Sequence, residues 1–249
     1  MAGKVVVITG ASGGIGAATA ELLASRGHTV VLAARREAAL AAVAARCGPR
    51  AHTVVADVTV RADVDRLARE AIATCGRIDV WINNAGRGIS RQPSELTDDD
   101  IDDMILVNVK SALYGMQAAL PHFKERNAGQ VINVSSMLGR IPFAVIRSAY
   151  NGAKHFLNAL TIAMRTEVRQ THPGIQFTLV SPGVVFTDFG KNAMHGGPDS
   201  RSLPGGQDVG EVAKVIADAV ESRVPDVYTR PGSQAMIAKW YADVGVDPP

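Results

Sequence analysis

Short runs of β-branched and aliphatic residues alternate along the chain with longer stretches in which apolar positions recur every three to four residues. The short runs predict strands at 4–9, 29–34, 51–56, 78–83, 130–135, 175–181 and 226–229. Between the first two, Ile15, Ala18, Leu22 and Leu23 have the spacing of a helix with one buried face. Thr97 ahead of Asp98, Asp99 and Asp100 reads as an N-cap followed by acids that the helix dipole favours, opening a long helix over 97–124. A second long helix is expected over 148–170. Strands alternating with helices make βαβ units, so the expected fold class is α/β, a doubly wound seven-stranded parallel sheet with helices on both faces. No repeat, low-complexity tract or Pro-rich linker divides the chain, and 1–249 is expected to be a single domain. The stretch 191–206, KNAMHGGPDSRSLPGG, is the one long loop-like insertion, and its length and glycine content predict a mobile lid at about 188–206.

Composition narrows the class. With 47% hydrophobic residues and a net charge of +2, the chain can bury enough surface to offset its ordering entropy, which excludes a disordered protein. The 26 Lys and Arg are nearly cancelled by 24 Asp and Glu, so nucleic acid is not an expected partner. The N-terminus has only four consecutive apolar residues before Thr9 and Gly10, neither a signal peptide nor a membrane span, and no membrane association is expected. Cys47 and Cys75 make no disulfide framework and no C-x-x-C pair, so the cytoplasm is the expected compartment. The N-V-S triplet at Asn133 lies inside an apolar strand run, where a glycan has no room. His28, His52, His122, His155, His172 and His195 show no metal-binding spacing, and no metal is expected.

The candidate chemistry begins at TGASGGIG, which sets Gly10, Gly14 and Gly16 after an apolar strand and at the opening of a helix. Glycines there let the chain turn tightly, leave room for a pyrophosphate and aim helix N-terminal amides at its charge. The spacing is G-x-x-x-G-x-G, not the commonest dinucleotide fingerprint, and a bare strand-to-helix turn accounts for it equally well when taken alone. At the end of the second strand, where an acid would accept from the ribose hydroxyls of NAD, the chain has Ala34, Arg35 and Arg36. Two cations at a helix start oppose the helix dipole, and a 2′-phosphate gives them a reason to be there. Roughly 1.5 to 3 kcal/mol per charge-assisted bond favours NADP(H) over NAD(H).

Tyr150 and Lys154 form a Y-x-x-x-K pair whose i, i+4 spacing stacks both side chains on one helix face. An ammonium beside a phenol lowers the phenol's pKa, which makes a usable general acid and base. Ser136 lies fourteen positions before Tyr150 at the end of the fifth strand run, where a hydroxyl can polarise a carbonyl oxygen. Asn108 falls in phase with Ile101, Met104 and Ile105 on an apolar helix face, where its amide needs partners, either structural or in a proton relay.

These residues together resemble the short-chain dehydrogenase/reductase family, single-domain branch, over nearly the whole chain. The resemblance implies a Rossmann fold in which TGASGGIG, with Ser12 and Ile15, is the cofactor turn, and Asp57 with Val58 lies at the adenine. Asn83, Asn84, Ala85 and Gly86 match the family's NNAG segment, and Pro182, Gly183 and Thr187 match the segment that holds the nicotinamide. Asn108, Ser136, Tyr150 and Lys154 match its catalytic tetrad in order. By resemblance, hydride passes between the nicotinamide and a carbonyl or alcohol carbon, Tyr150 handles the proton, and Ser136 holds the oxygen. Lys154 depresses the Tyr150 pKa and binds ribose hydroxyls, while Asn108 anchors a water. Two departures stand out: Gly13 replaces the basic residue many NADP-using members carry, and the interval from Ser136 to Tyr150 is one residue longer than is common.

The expected activity is therefore NADPH-dependent reduction of a ketone or aldehyde, reversibly an alcohol dehydrogenase. The alternatives are NAD-dependent oxidation of a secondary alcohol and a non-catalytic dinucleotide sensor. The missing acid at Ala34 stands against the first, and the presence of Tyr150, Lys154 and Ser136 against the second. Pocket walls are expected from 87–92, 138–147 and 184–203, with Arg91, Arg140, Arg147 and Arg201 read as solvated more readily than as anion ligands, and His195 as exposed. The family assembles through its two long helices, so a homo-oligomer is expected, a tetramer ahead of a dimer.

Overall fold

A computed structural model of the chain describes residues 3–243. Seven strands, β1 (Val5–Thr9), β2 (Thr29–Ala34), β3 (Ala51–Val55), β4 (Val80–Asn83), β5 (Gly129–Val134), β6 (Ile175–Ser181) and β7 (Asp226–Tyr228), form one sheet. Their order is β3-β2-β1-β4-β5-β6-β7, and every neighbouring pair is parallel. The helices are α1 (Gly14–Ser25), α2 (Glu37–Cys47), α3 (Arg61–Cys75), α4 (Asp98–Ile105), α5 (Ser111–Arg126), α6 (Ser148–Thr171), α7 (Val209–Ser222) and α8 (Ser233–Ala242).

Alternation along each strand divides the core into two apolar layers. Val6, Ile8, Val30, Leu32, Ile82 and Val134 meet Ala20 and Leu23 of α1, Leu40 of α2 and Val212 and Ile216 of α7. On the other face, Val5, Val7, Val31, Trp81 and Val131 meet Leu67 of α3, Met116 and Phe123 of α5 and Val168 of α6. Both faces are covered, so the strands read as continuous apolar runs. The chain winds outward one way from β1 and the other way from β4, and the strands' carboxyl ends border a crevice at that reversal.

Two expectations need correction. Ile78 and Asp79 stand outside β4: the Asp79 carboxylate accepts from the Val5 amide and pairs with Arg77 and Arg126. The helix expected over 97–124 is not continuous, because a wide π-turn at Leu106–Lys110 separates α4 from α5. In that turn the Asn108 side chain donates to the Met104 carbonyl, taking an acceptor that an α-turn would give to the backbone. Ile101, read as part of the apolar face, is 42% exposed. The start of α4 is as expected, and more complete: Thr97 and Asp100 cap each other's amides reciprocally.

Asn133 is fully buried in β5, accepting from Asn83 and donating to Thr161, so its triplet has no access for a glycan. Among the described residues, no helix is long and apolar enough to cross a membrane.

Candidate active site

The first half of the site is built at the ends of β1 and β4. Gly10 turns the chain with φ of 66°, and a Cβ at Gly16 would stand 2.5 Å from both the Asn84 amide nitrogen and the Gly10 carbonyl oxygen. Asn84 Nδ2 donates to the carbonyls of Thr9 and Gly10, while Thr9 Oγ1 accepts from the amides of Asn84 and Ala85. The two strand ends are thereby tied across the crevice. The N-cap of α1 is Gly13, with no side-chain cap and no acid in the first turn, so the dipole and amides of Gly14 to Gly16 are left for an external anion. Ile15 packs behind them against the core.

Arg36 Nη2 donates to Ser12 Oγ at 3.1 Å, which lays its guanidinium over the glycine turn. Arg35 is largely exposed, 3.7 Å from the Asp57 carboxylate, whose other oxygen accepts from Thr59. Val58 packs against the core beside it. From the far side, the Thr187 methyl carbon would lie 3.3 Å from a Cβ at Gly14. Pro182 accepts from the Met137 amide at 2.8 Å, and Gly183 has open space where a side chain would stand.

The reactive side chains come from α6, β5 and the π-turn. Tyr150 and Lys154 are buried in the first two turns of α6, with the Lys154 Nζ 5.6 Å from the centre of the Tyr150 ring. Lys154 donates to the Val134 carbonyl at 3.0 Å, and burial pushes its pKa down to about 8. Ser136 lies two residues past the end of β5 and accepts from the Leu138 amide. Asn108 holds both the carbonyl and the amide of Arg87, and a Cβ on Gly86 would meet its Oδ1 at 3.0 Å and Lys154 Nζ at 3.6 Å. Asn83 is turned away, bonded to Trp81, Ala112 and Asn133.

The electrostatics of the Tyr150 and Lys154 pair are set first by burial. Burial pushes the Tyr150 phenol up to about 12, opposed by the Ser136 hydroxyl and by the charge of Arg147. The Lys154 ammonium, 5.6 Å from the centre of the Tyr150 ring, donates to the Val134 carbonyl and is itself disfavoured by burial. A further cation whose charge lowers the phenol's pKa is Arg147, which the sequence reading places among the pocket walls.

The remaining charged wall residues are held by ion pairs. Arg140 points to the sheet edge, bidentate on Asp226 and over the Tyr228 ring. Arg201 pairs with Asp188 and Asp199, and Arg91 with the buried Asp100. His195 is exposed, as expected, while its Nε2 lies 2.7 Å from Asp100 Oδ1, and the neighbouring Met194 bridges to Ile89. Phe189, from the expected lid, sets its edge against Tyr150 at 5.6 Å between ring centres. Sequence reasoning missed Phe189 and the His195 to Asp100 pair, whose partners are too far apart in the chain for any spacing to betray them. Arg147 carries one usable signal, its position three residues before Tyr150 at the N-cap of α6.

Residues 4–196 match the family model for short chain dehydrogenases. The chain is 33% identical over 228 residues to an uncharacterized oxidoreductase of Staphylococcus epidermidis, covering 92% of each. It is similar in structure to a short chain dehydrogenase/reductase from Burkholderia phymatum in complex with NAD, at TM-score 0.89 and 27% identity, over 100% of this chain and 96% of that one. A short-chain dehydrogenase from Sphingobium yanoikuyae in complex with NADPH gives TM-score 0.83 and 28% identity, over 99% of this chain and 96% of the other. The chain therefore belongs to the short-chain dehydrogenase/reductase family. It is an oxidoreductase of that type, in a family that works on small molecules with a nicotinamide dinucleotide.

Proposed function

We propose that this protein is an NADP(H)-preferring reductase that transfers hydride to a ketone or aldehyde carbonyl, and reversibly oxidises the alcohol. The observation that carries the reading is the convergence of Tyr150, Ser136, Lys154 and Asn108 at the carboxyl edge of the sheet, beside the crevice between β1 and β4. The bound dinucleotide supplies the hydride. The amides of Gly14 to Gly16 bind its pyrophosphate, Asp57 and Val58 border the adenine, and Asn84 to Gly86 with Pro182, Gly183 and Thr187 border the nicotinamide. Arg36, held against Ser12, is the support for NADP(H), since a 2′-phosphate there accepts charge-assisted bonds from a guanidinium already in place.

Tyr150 is the proton donor. With its pKa up near 12, the phenol is neutral at pH 7, as a general acid in the reductive direction must be. Ser136 positions the carbonyl oxygen, Lys154 meets the ribose hydroxyls from beneath Gly86, and Asn108 fixes the Arg87 backbone at the edge of the proton path. The same reading includes a homo-oligomer built on α5 and α6, supported by the exposed Phe156 and Ile162 of α6; light scattering that returned a monomer would remove that part.

The decisive experiment is a panel of ketones and aldehydes assayed with NADPH and with NADH, in wild type and Tyr150→Phe. NADPH should support the faster reduction, and the variant should lose at least about 100-fold in kcat while keeping its fold. Full activity of Tyr150→Phe rejects the acid assignment, and a preference for NADH rejects the role of Arg36.

A further inference from the structure

Two buried polar atoms that lack any hydrogen-bond partner belong to side chains that meet at Gly197: Ser90 Oγ and Arg147 Nη1. Buried polar atoms are nearly always paired, and an unpaired buried guanidinium nitrogen is the costliest kind of exception. Arg147 and Ser90 face the same space. A Cβ built on Gly197 would lie 2.8 Å from Ser90 Oγ and 3.1 Å from Arg147 Nη2, and one on Gly88 would lie 2.5 Å from Arg147 Nη1 and 3.0 Å from the Phe189 ring. Phe189 in turn touches the Tyr150 ring. The guanidinium and the hydroxyl thus lie close together, and Phe189 connects the guanidinium to the ring of the proton donor.

The charge there is not neutralised by the protein. Arg87, Arg91, Arg140 and Arg201 each pair with an aspartate, whereas Arg147 forms no salt bridge with any described carboxylate. The Tyr150 phenol is neutral at pH 7 and supplies no counter-charge. An arginine keeps its proton even when half-buried, so a positive charge stands beside Ser90 with no counter-ion among the described residues.

Resting on the reductase reading above, we propose that the substrate carries a carboxylate held by the Arg147 fork and the Ser90 hydroxyl, so that the enzyme interconverts oxo acids and hydroxy acids. One cation and one hydroxyl fit a planar monoanion; a phosphate dianion would leave charge unmatched. The carbonyl carbon of the oxo acid takes hydride from the reduced dinucleotide and its oxygen takes the Tyr150 proton. The products are the hydroxy acid and the oxidised dinucleotide, and solvent reprotonates Tyr150.

The test has a turnover arm and a binding arm. Pyruvate, acetoacetate and levulinate are each compared with their methyl esters, which keep the carbonyl and remove the charge. At least one acid should exceed its ester in kcat/KM by on the order of 100-fold, and Arg147→Met should collapse that ratio toward one. Arg147→Lys, which keeps the charge without the fork, should fall between. In the binding arm, the complex of Tyr150→Phe with the oxidised dinucleotide, which cannot turn over, is titrated with the same acids by calorimetry, with and without Arg147→Met. Loss of acid affinity by about 100-fold supports the proposal. Acids that do not bind, or that bind equally well without Arg147, overturn it whatever the turnover shows. Acids bound through Arg147 with no carbonyl reduced by the wild type would leave the carboxylate site standing and reject the reductase reading instead. Should Arg147→Met fail to fold, Ser90→Ala and the wild-type acid-to-ester ratio decide: a ratio near one overturns the proposal.

Discussion

The crevice has two sides, and they are built differently. On the side of the glycine turn, polar groups satisfy one another through the backbone: Thr9 Oγ1 accepts from two amides, Asn84 reaches two carbonyls, and Asp57 is capped by Thr59. On the side of Phe189 and Arg147, contacts run between side chains far apart in sequence, such as His195 with Asp100, and buried polar atoms of Ser90 and Arg147 are left without partners. The first side is tied together before any ligand arrives and keeps only the amides of Gly14 to Gly16 open to an anion, as a scaffold for a constant cofactor requires. The second leaves hydrogen-bonding capacity open, and whatever fills that capacity selects the substrate.

The largest effect should come from crowding the first side. Gly16→Val places methyl groups where Asn84 and the Gly10 carbonyl already stand, and overpacking of this kind costs about 1–3 kcal/mol or more. We expect little folded protein and no dinucleotide binding, read by thermal melting and by quenching of reduced-dinucleotide fluorescence. A variant that melted like wild type would show that this side has slack after all.

Lys154 tests the seam between the two sides. Its pKa of about 8 lies below the ordinary 10.5, so between those values the unfolded chain binds more protons than the native state. Stability is therefore debited in full below pH 8, and the debit is relieved as pH rises toward 10.5. A shift of that size corresponds to about 3 kcal/mol, offset by about 1 kcal/mol for the hydrogen bond lost to the Val134 carbonyl. Lys154→Met should then melt several degrees higher than wild type at pH 7, lose that advantage by about pH 10.5, and lose reduction in both conditions. A melting advantage independent of pH would mean that the ammonium is not the source of the cost.

The same division explains what was legible in the sequence. β2 and β6 were read to the residue, because runs apolar on both faces leave little choice of register. The glycine turn was legible because its chemistry is backbone chemistry, fixed by residues adjacent in the chain. The spacing of Tyr150 and Lys154 was equally plain, yet the aim of the ammonium was not, since the Val134 carbonyl that receives it belongs to another element. Likewise the π-turn comes from a single amide competing for the Met104 carbonyl, which hydrophobic periodicity does not register. Arg140 was assigned to the pocket and instead turns to Asp226, 86 residues away. Where side chains choose among distant partners, the choice is made by the fold.

Arg36 sharpens the contrast from the cofactor side, the one place there where a side chain reaches toward an external charge. Arg36→Ser removes the guanidinium lying on Ser12 and leaves the turn itself alone. The ratio of kcat/KM for NADPH over NADH should drop by about 10- to 100-fold, with melting unchanged. An unchanged ratio would pass the 2′-phosphate role to Arg35 or to neither.

The smallest effect concerns the segment that closes the substrate side. Three contacts tie this expected lid down in the structure: Met194 bridges to Ile89, Met194 donates to the Gly88 carbonyl, and His195 is paired with Asp100. That carboxylate also caps α4 through Thr97 and binds Arg91, and the bonds from His195 first and Thr97 next hold its pKa at about 2, below the ordinary 3.8. It is thus fully ionised at neutral pH, and its stabilising contribution fades only as pH falls through that window. His195→Ala removes one tie and leaves Asp100 its other partners, so the global melting temperature should move by no more than about 2 °C. Local opening should change more, because a partly exposed tie governs the segment and not the core. Trypsin reports this directly, since Lys191 and Arg201 lie within the segment. Cleavage there should run several-fold faster in the variant; equal rates would show that the backbone bridge to Ile89 is sufficient to keep this side of the crevice closed.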